Sequence, residues 1–96
     1  MDLYILDGHA PVRVYSEQEW GEWLKKGDTL VARDKVGDAV VSTIFLGVDV
    51  DIYGRPSLFE TMIFGGKHDM YQMRYSTWVE AEKGHRVALK LLSQDK

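Results

Sequence analysis

Residues 40–64 read VVSTIFLGVDVDIYGRPSLFETMIF. Two apolar runs, at 40–50 and 58–64, flank a polar loop at 51–56. The first run carries apolar residues on both sides of an extended chain, apart from Ser42 and Thr43, and so reads as a central strand. In the second run, Leu58, Glu60, Met62 and Phe64 share one face, and Phe59, Thr61 and Ile63 share the other. Both faces are apolar, so periodicity alone leaves open which one meets the core. Glu60 is buried in one reading and lies on the outer face in the other.

Outward from this pair, the N-terminal segment holds an apolar run at 3–6, turn chemistry at Asp7-Gly8 and an alternating stretch at 12–15. Ser16 with Glu19 forms a capping-box signature for a short helix that runs to Lys26 and stops at Gly27-Asp28. Trp20, Trp23 and Leu24 share one face of it. Residues 30–33 read as a strand, followed by a turn over 35–38. Beyond the second run, Gly65-Gly66 ends the strand. Residues 70–75 read as another, with Tyr71, Met73 and Tyr75 on one face and Gln72 and Arg74 on the other.

Thr77 with Glu80 is a second capping box and opens a longer C-terminal helix. Its apolar stripe is Trp78, Ala81, Ala88, Leu89 and Leu92, and His85 sits at the centre of that stripe. Gly84 weakens the helix by roughly 1 kcal/mol relative to alanine, and such a glycine has a use if another backbone approaches closely there. The expected fold is α+β: an antiparallel sheet of about four to six strands, with a short N-terminal helix and a longer C-terminal helix on one sheet face.

The 96 residues fit a single domain spanning 1–96. Apolar residues make up 45% and aromatics 11%, enough for a core. Twelve Lys+Arg against 15 Asp+Glu leave a net charge of −3, which argues against a generic nucleic-acid coat. With no cysteine, disulfides and thiolate metal sites are excluded. The first residues resemble neither a signal peptide nor a membrane span, so a cytoplasmic protein without membrane association is expected. The small size and the double-faced strands favour a homo-oligomer.

Polar residues within core-forming segments are costly unless satisfied, so Thr43, Glu60, Lys67, Arg74, Tyr75 and His85 are the candidate ligand-binding residues. His85 suits either proton transfer or a satisfied core position. Glu60 and Arg74 suit a cross-strand pair. The expectation is that Glu60, Arg74 and His85 converge at one helix–sheet junction, with Arg74 facing a ligand. Gly65-Gly66-Lys67-His68 has the composition of an anion-binding turn without P-loop spacing. Asp49, Asp51, Asp69 and His68 are a weak metal set. No metal or cofactor is expected. Two functions are open: a binding protein with a pocket for a nucleotide-like anion, lined by Thr43, Lys67, Arg74, Tyr75 and aromatics, or a small hydrolase or phosphodiesterase using His85 or His68 with Glu60 or Asp69. The first is favoured because no nucleophile set is complete. Inhibition of a host protein through a surface patch is a third possibility.

Three stretches, Val41-Ser42-Thr43-Ile44-Phe45-Leu46-Gly47, Leu58-Phe59-Glu60-Thr61-Met62-Ile63-Phe64-Gly65-Gly66, and Arg74-Tyr75-Ser76-Thr77-Trp78 with Glu80-Ala81 and Gly84-His85, resemble a widespread family of small bacteriophage and prophage proteins of unassigned function. The likeness covers about half the chain. It implies a phage or prophage origin and action on host machinery in the bacterial cytoplasm.

Overall fold

The computed structural model describes residues 2–49 and 54–94. The fold is α+β, with six strands, two helices and two antiparallel sheets among the described residues. Strands β1 (Leu3–Asp7) and β2 (Ala10–Val14) form a hairpin that turns at Gly8-His9, with Gly8 at φ 63°. Helix α1 (Glu17–Lys26) follows, capped by the Ser16 hydroxyl, which accepts from the Glu19 amide. Strands β3 (Leu30–Val36), β4 (Ala39–Phe45), β5 (Phe59–Phe64) and β6 (Gln72–Tyr75) form a four-stranded sheet in chain order. Helix α2 (Trp78–Ser93) carries the full reciprocal capping box of Thr77 and Glu80.

Strand β3 runs three residues further than the sequence indicates. Its turn to β4 is Gly37-Asp38 alone, with Gly37 at φ 58°. Glycine with positive φ at the first central position is what a two-residue type II′ hairpin requires. Asp34, Lys35 and Val36 therefore belong to the sheet. Strand β4 is shorter than the apolar run because Gly47 turns the chain at φ 78°.

The register decides which face of β5 is inward. Thr43 pairs with Thr61, Phe45 with Phe59 and Val41 with Ile63. All six are buried, and α2 packs over them. Glu60, Met62 and Phe64 lie on the other face. The inner core falls into two apolar clusters. One holds Phe45, Phe59, Leu58, Leu6 and Ala81, and the other holds Ala39, Val41, Ile63 and Ala88. Along each of β4, β5 and α2, one polar residue separates the two: Thr43, Thr61 and His85.

Helix α1 packs mainly on the hairpin, and its Trp23 reaches the edge of the inner-face cluster. Trp20 Nε1 donates to the Gly47 carbonyl at 2.9 Å, and Trp23 meets Phe45 edge-on. Gly84 has a different cause from the close backbone approach that the sequence allows for. A Cβ there would overlap the ring and hydroxyl of Tyr75, so the contact that demands glycine comes from a side chain on β6.

Candidate functional site

The polar layer between the two apolar clusters is a closed chain of hydrogen bonds. Thr61 Oγ1 lies 2.6 Å from Thr43 Oγ1, which lies 2.7 Å from His85 Nδ1, and His85 Nε2 lies 2.8 Å from Asp34 Oδ2. An ionised carboxylate only accepts, so Nε2–H donates to Asp34. In the neutral ring Nδ1 then accepts from the Thr43 hydroxyl, and Thr43 accepts from Thr61. Each link thus has one donor and one acceptor. The layer is sealed, with Thr43 and Thr61 0% exposed and His85 4% exposed. Asp34 alone reaches solvent, its side chain 53% exposed.

Local rules place every member. Thr43 and Thr61 face each other because they are register partners on the inner face. Asp34 shares that face because Val41 is its partner. His85 is aimed inward because it lies four residues after Ala81 and three before Ala88, one stripe of a 3.6-residue helix. The order carboxylate, imidazole, hydroxyl is that of a hydrolytic triad. A nucleophile must meet its substrate, however, and the Thr43 hydroxyl has no exposed surface. The layer satisfies its own polar groups within a low-dielectric core, where each unmet group would be costly.

The Tyr75 phenol borders this layer. Burial pushes its pKa above the ordinary value, with the Thr61 hydroxyl opposing and Tyr71 adding to the rise. The approach to Thr61 falls short of hydrogen-bond geometry, and Tyr75 Oη has no partner among the described residues.

Glu60 and Arg74 do not converge with His85. They are register partners on the outer face, because residues of a strand alternate sides and Glu60 is one position from Thr61. Arg74 Nε donates to Glu60 Oε2 at 2.9 Å and Gln72 Nε2 donates to the same oxygen at 2.5 Å. Among the described residues this leaves the terminal nitrogens of Arg74 without a protein acceptor. A pocket of Thr43, Tyr75 and Arg74 from one chain therefore does not assemble, since the first two point into the core.

The remaining expectations resolve locally. Lys67 lies exposed in the β5–β6 connection. In that turn Gly65 and Gly66 have φ of 88° and 73°, and the Gly65 amide donates to Asp69 Oδ1 at 2.7 Å. A carboxylate of the chain itself therefore already occupies this amide of the glycine turn. Asp49 accepts from the Ser57 amide, and Asp51 lies outside the described residues. No group of three metal-capable side chains forms among the described residues. Glu80 feels some desolvation, but hydrogen bonds from Arg55 and Thr77, the Arg55 charge and the Ser76 amide outweigh it and hold its carboxyl below the ordinary value.

The outer sheet face differs in kind from the inner one. Its central stripe is Val40, Ile44, Met62 and Phe64, with Leu30 at the edge. Leu30 is 43% exposed and Phe64 48% exposed. No described helix or strand packs over it, since α2 lies on the inner face and α1 on the hairpin. Arg33 and Lys35 on β3 and Arg74 on β6 flank the stripe, and Glu60 is the carboxylate on it. No helix is long and apolar enough to cross a membrane among the described residues.

Sequence reasoning found Thr43 and His85 but missed Asp34 and Thr61. Asp34 borders residues that read as a turn. The signal that would have recovered it is Gly37-Asp38, a two-residue turn that extends both strands to meet it. Protein-family models, curated proteins and solved structures give no match to this chain.

Proposed function

We propose that this chain is a small phage-type protein that works in the bacterial cytoplasm by binding. In this reading it sequesters a nucleotide-like anion, a host defence signal, in a pocket formed between copies at the outer sheet face. The observation that carries the reading is the apolar stripe that no described helix or strand covers, exposed at Leu30 and Phe64, with its cationic rim. Exposed apolar area flanked by charge has the anatomy of an interface. Each copy brings Arg33, Lys35 and Arg74 to the face against the carboxylate of Glu60, which Arg74 and Gln72 already engage. Two such faces packed together repel unless an anion lies between them. Arg74, anchored through Nε, keeps its terminal nitrogens for a phosphate. Anion binding and self-association are then linked, each promoting the other.

A hydrolase is the second reading. The observation in its favour is the Asp34–His85–Thr43 order, and the sealed hydroxyl weighs against it. One experiment separates the two. The protein is incubated with a panel of nucleotides, recovered by gel filtration and heated to release what it holds. Intact nucleotide is the result expected of sequestration. Altered nucleotide supports hydrolysis, and an empty protein across the panel overturns the anion-binding reading. Capture of a bacterial protein by a nucleotide-free sample would instead support action through a surface patch.

A further inference from the structure

The hairpin tip and the first turn of α2 meet through a ring contact. His9, the second residue of the β1–β2 turn, lies flat on Trp78, with centroids 3.7 Å apart and planes 3° from parallel. Trp78 also meets Phe59 edge-on, at 6.1 Å and 88°. The indole is thus fixed against the core on one side and covered by an imidazole on another. A groove of about 400 Å³ opens here, with Pro11, Val79 and Glu82 beside the two rings. Trp78 Nε1 is buried and has no hydrogen-bond partner among the described residues.

The imidazole shows what this indole face accepts: a planar nitrogen heterocycle in close parallel contact. It is a poor match in size, since a five-membered ring covers only part of a nine-atom bicycle. His9 is exposed and sits on a two-residue turn, so its ring is readily displaced. Apart from the His9 imidazole, the ionisable side chain lining the groove is the Glu82 carboxylate, which repels anions and accepts from N–H donors. Those features select an uncharged ring that carries an amino group. Aromatic platforms hold nucleobases through the same stacking.

We propose that this groove binds a nucleobase, which takes the place of His9 on the Trp78 face and donates from its amino group to Glu82. His9 is then a lid that fills the platform when no base is present. The site shares no residue with the outer sheet face and does not depend on the anion reading.

The test uses adenosine, which has a base and no phosphate, with ribose as control. Heteronuclear NMR of the ¹⁵N-labelled chain follows the Trp78 indole N–H. Adenosine should shift that resonance and the first-turn amides of α2, and ribose should not. His9→Ala should bind adenosine more tightly, because the competing ring is gone. Trp78→Leu should weaken binding by about tenfold or more. Should that variant unfold, Glu82→Gln, on the surface, should weaken it severalfold. Arg74→Ala should bind adenosine normally, and an anion-binding failure in that variant would leave this site standing. The proposal is overturned if millimolar adenosine leaves the Trp78 resonance unmoved in both the native chain and His9→Ala. It is equally overturned if the shifts fall on the outer sheet face instead, or if ribose reproduces them.

Discussion

The two faces of the four-stranded sheet are built from alternate residues of the same strands, yet they treat polar groups in opposite ways. On the inner face, Thr43, Thr61, His85 and Asp34 satisfy one another in a closed layer between two apolar clusters. On the outer face, no described helix or strand covers the apolar stripe, Leu30 and Phe64 are exposed while Val40, Ile44 and Met62 are half-buried, and the terminal nitrogens of Arg74 lack a protein acceptor among the described residues. A polar layer that needs nothing from outside is a device for register. If α2 slid by one turn, His85 would face an apolar cluster and two threonine hydroxyls would lose their chain. The outer face, with unmet surface, is where the proposed self-association is placed.

The inner face should break hardest. His85→Ala leaves a cavity and removes the acceptor of the Thr43 hydroxyl, so unfolding free energy should fall by about 3 kcal/mol. Chemical denaturation measures it, and a loss below about 1 kcal/mol would mean that the layer is not a structural unit. Replacing its polar members together, by Thr43→Val, Thr61→Val and His85→Leu, should recover much of the loss, since no buried group is then left unmatched.

Gly84→Ala tests the seam between α2 and β6. The helix gains about 1 kcal/mol in propensity, but the new methyl overlaps Tyr75. Overpacking should win, with a net loss of about 2 kcal/mol. A stabilised variant would show that Tyr75 leaves without cost.

A smaller effect is expected at the start of α2. The Glu80 carboxyl titrates below its ordinary value in the folded chain, so on acidification the unfolded chain takes up its proton first. Its contribution to stability is complete above the ordinary carboxylate value and is lost as pH falls through the depressed one. Melting curves of the native chain and Glu80→Gln should therefore converge in acid and separate toward neutral pH. A constant gap would remove Glu80 from the account.

On the outer face, Arg74→Ala should change unfolding free energy least, by about 1 kcal/mol or less, because the guanidinium is half-exposed and Gln72 still donates to the Glu60 carboxylate, whose side chain is only 14% exposed. The same variant should lose nucleotide binding. A much lower melting temperature with normal binding by the folded fraction would reverse the roles of the two faces.

Most of the fold was legible because β4 and β5 are apolar on both sides, and because both helices begin at side-chain caps that the sequence displays. What the pattern could not say is which side α2 covers. Two apolar faces give the same alternation, so Glu60 could be placed only once the Thr43–Thr61 register was known. That ambiguity led to the expected meeting of Glu60, Arg74 and His85, which the alternation of β5 prevents. His85 was legible as an inward residue from helical spacing alone. Its carboxylate partner was not, because Asp34 reaches it from a strand whose end read as a turn.

The most direct test of the outer face is its mass in solution, measured by sedimentation equilibrium with and without a nucleotide retained from the panel. A two-copy or larger species that forms at lower protein concentration when the nucleotide is present is the expected result. A single-copy mass at every concentration, with and without the nucleotide, would contradict it.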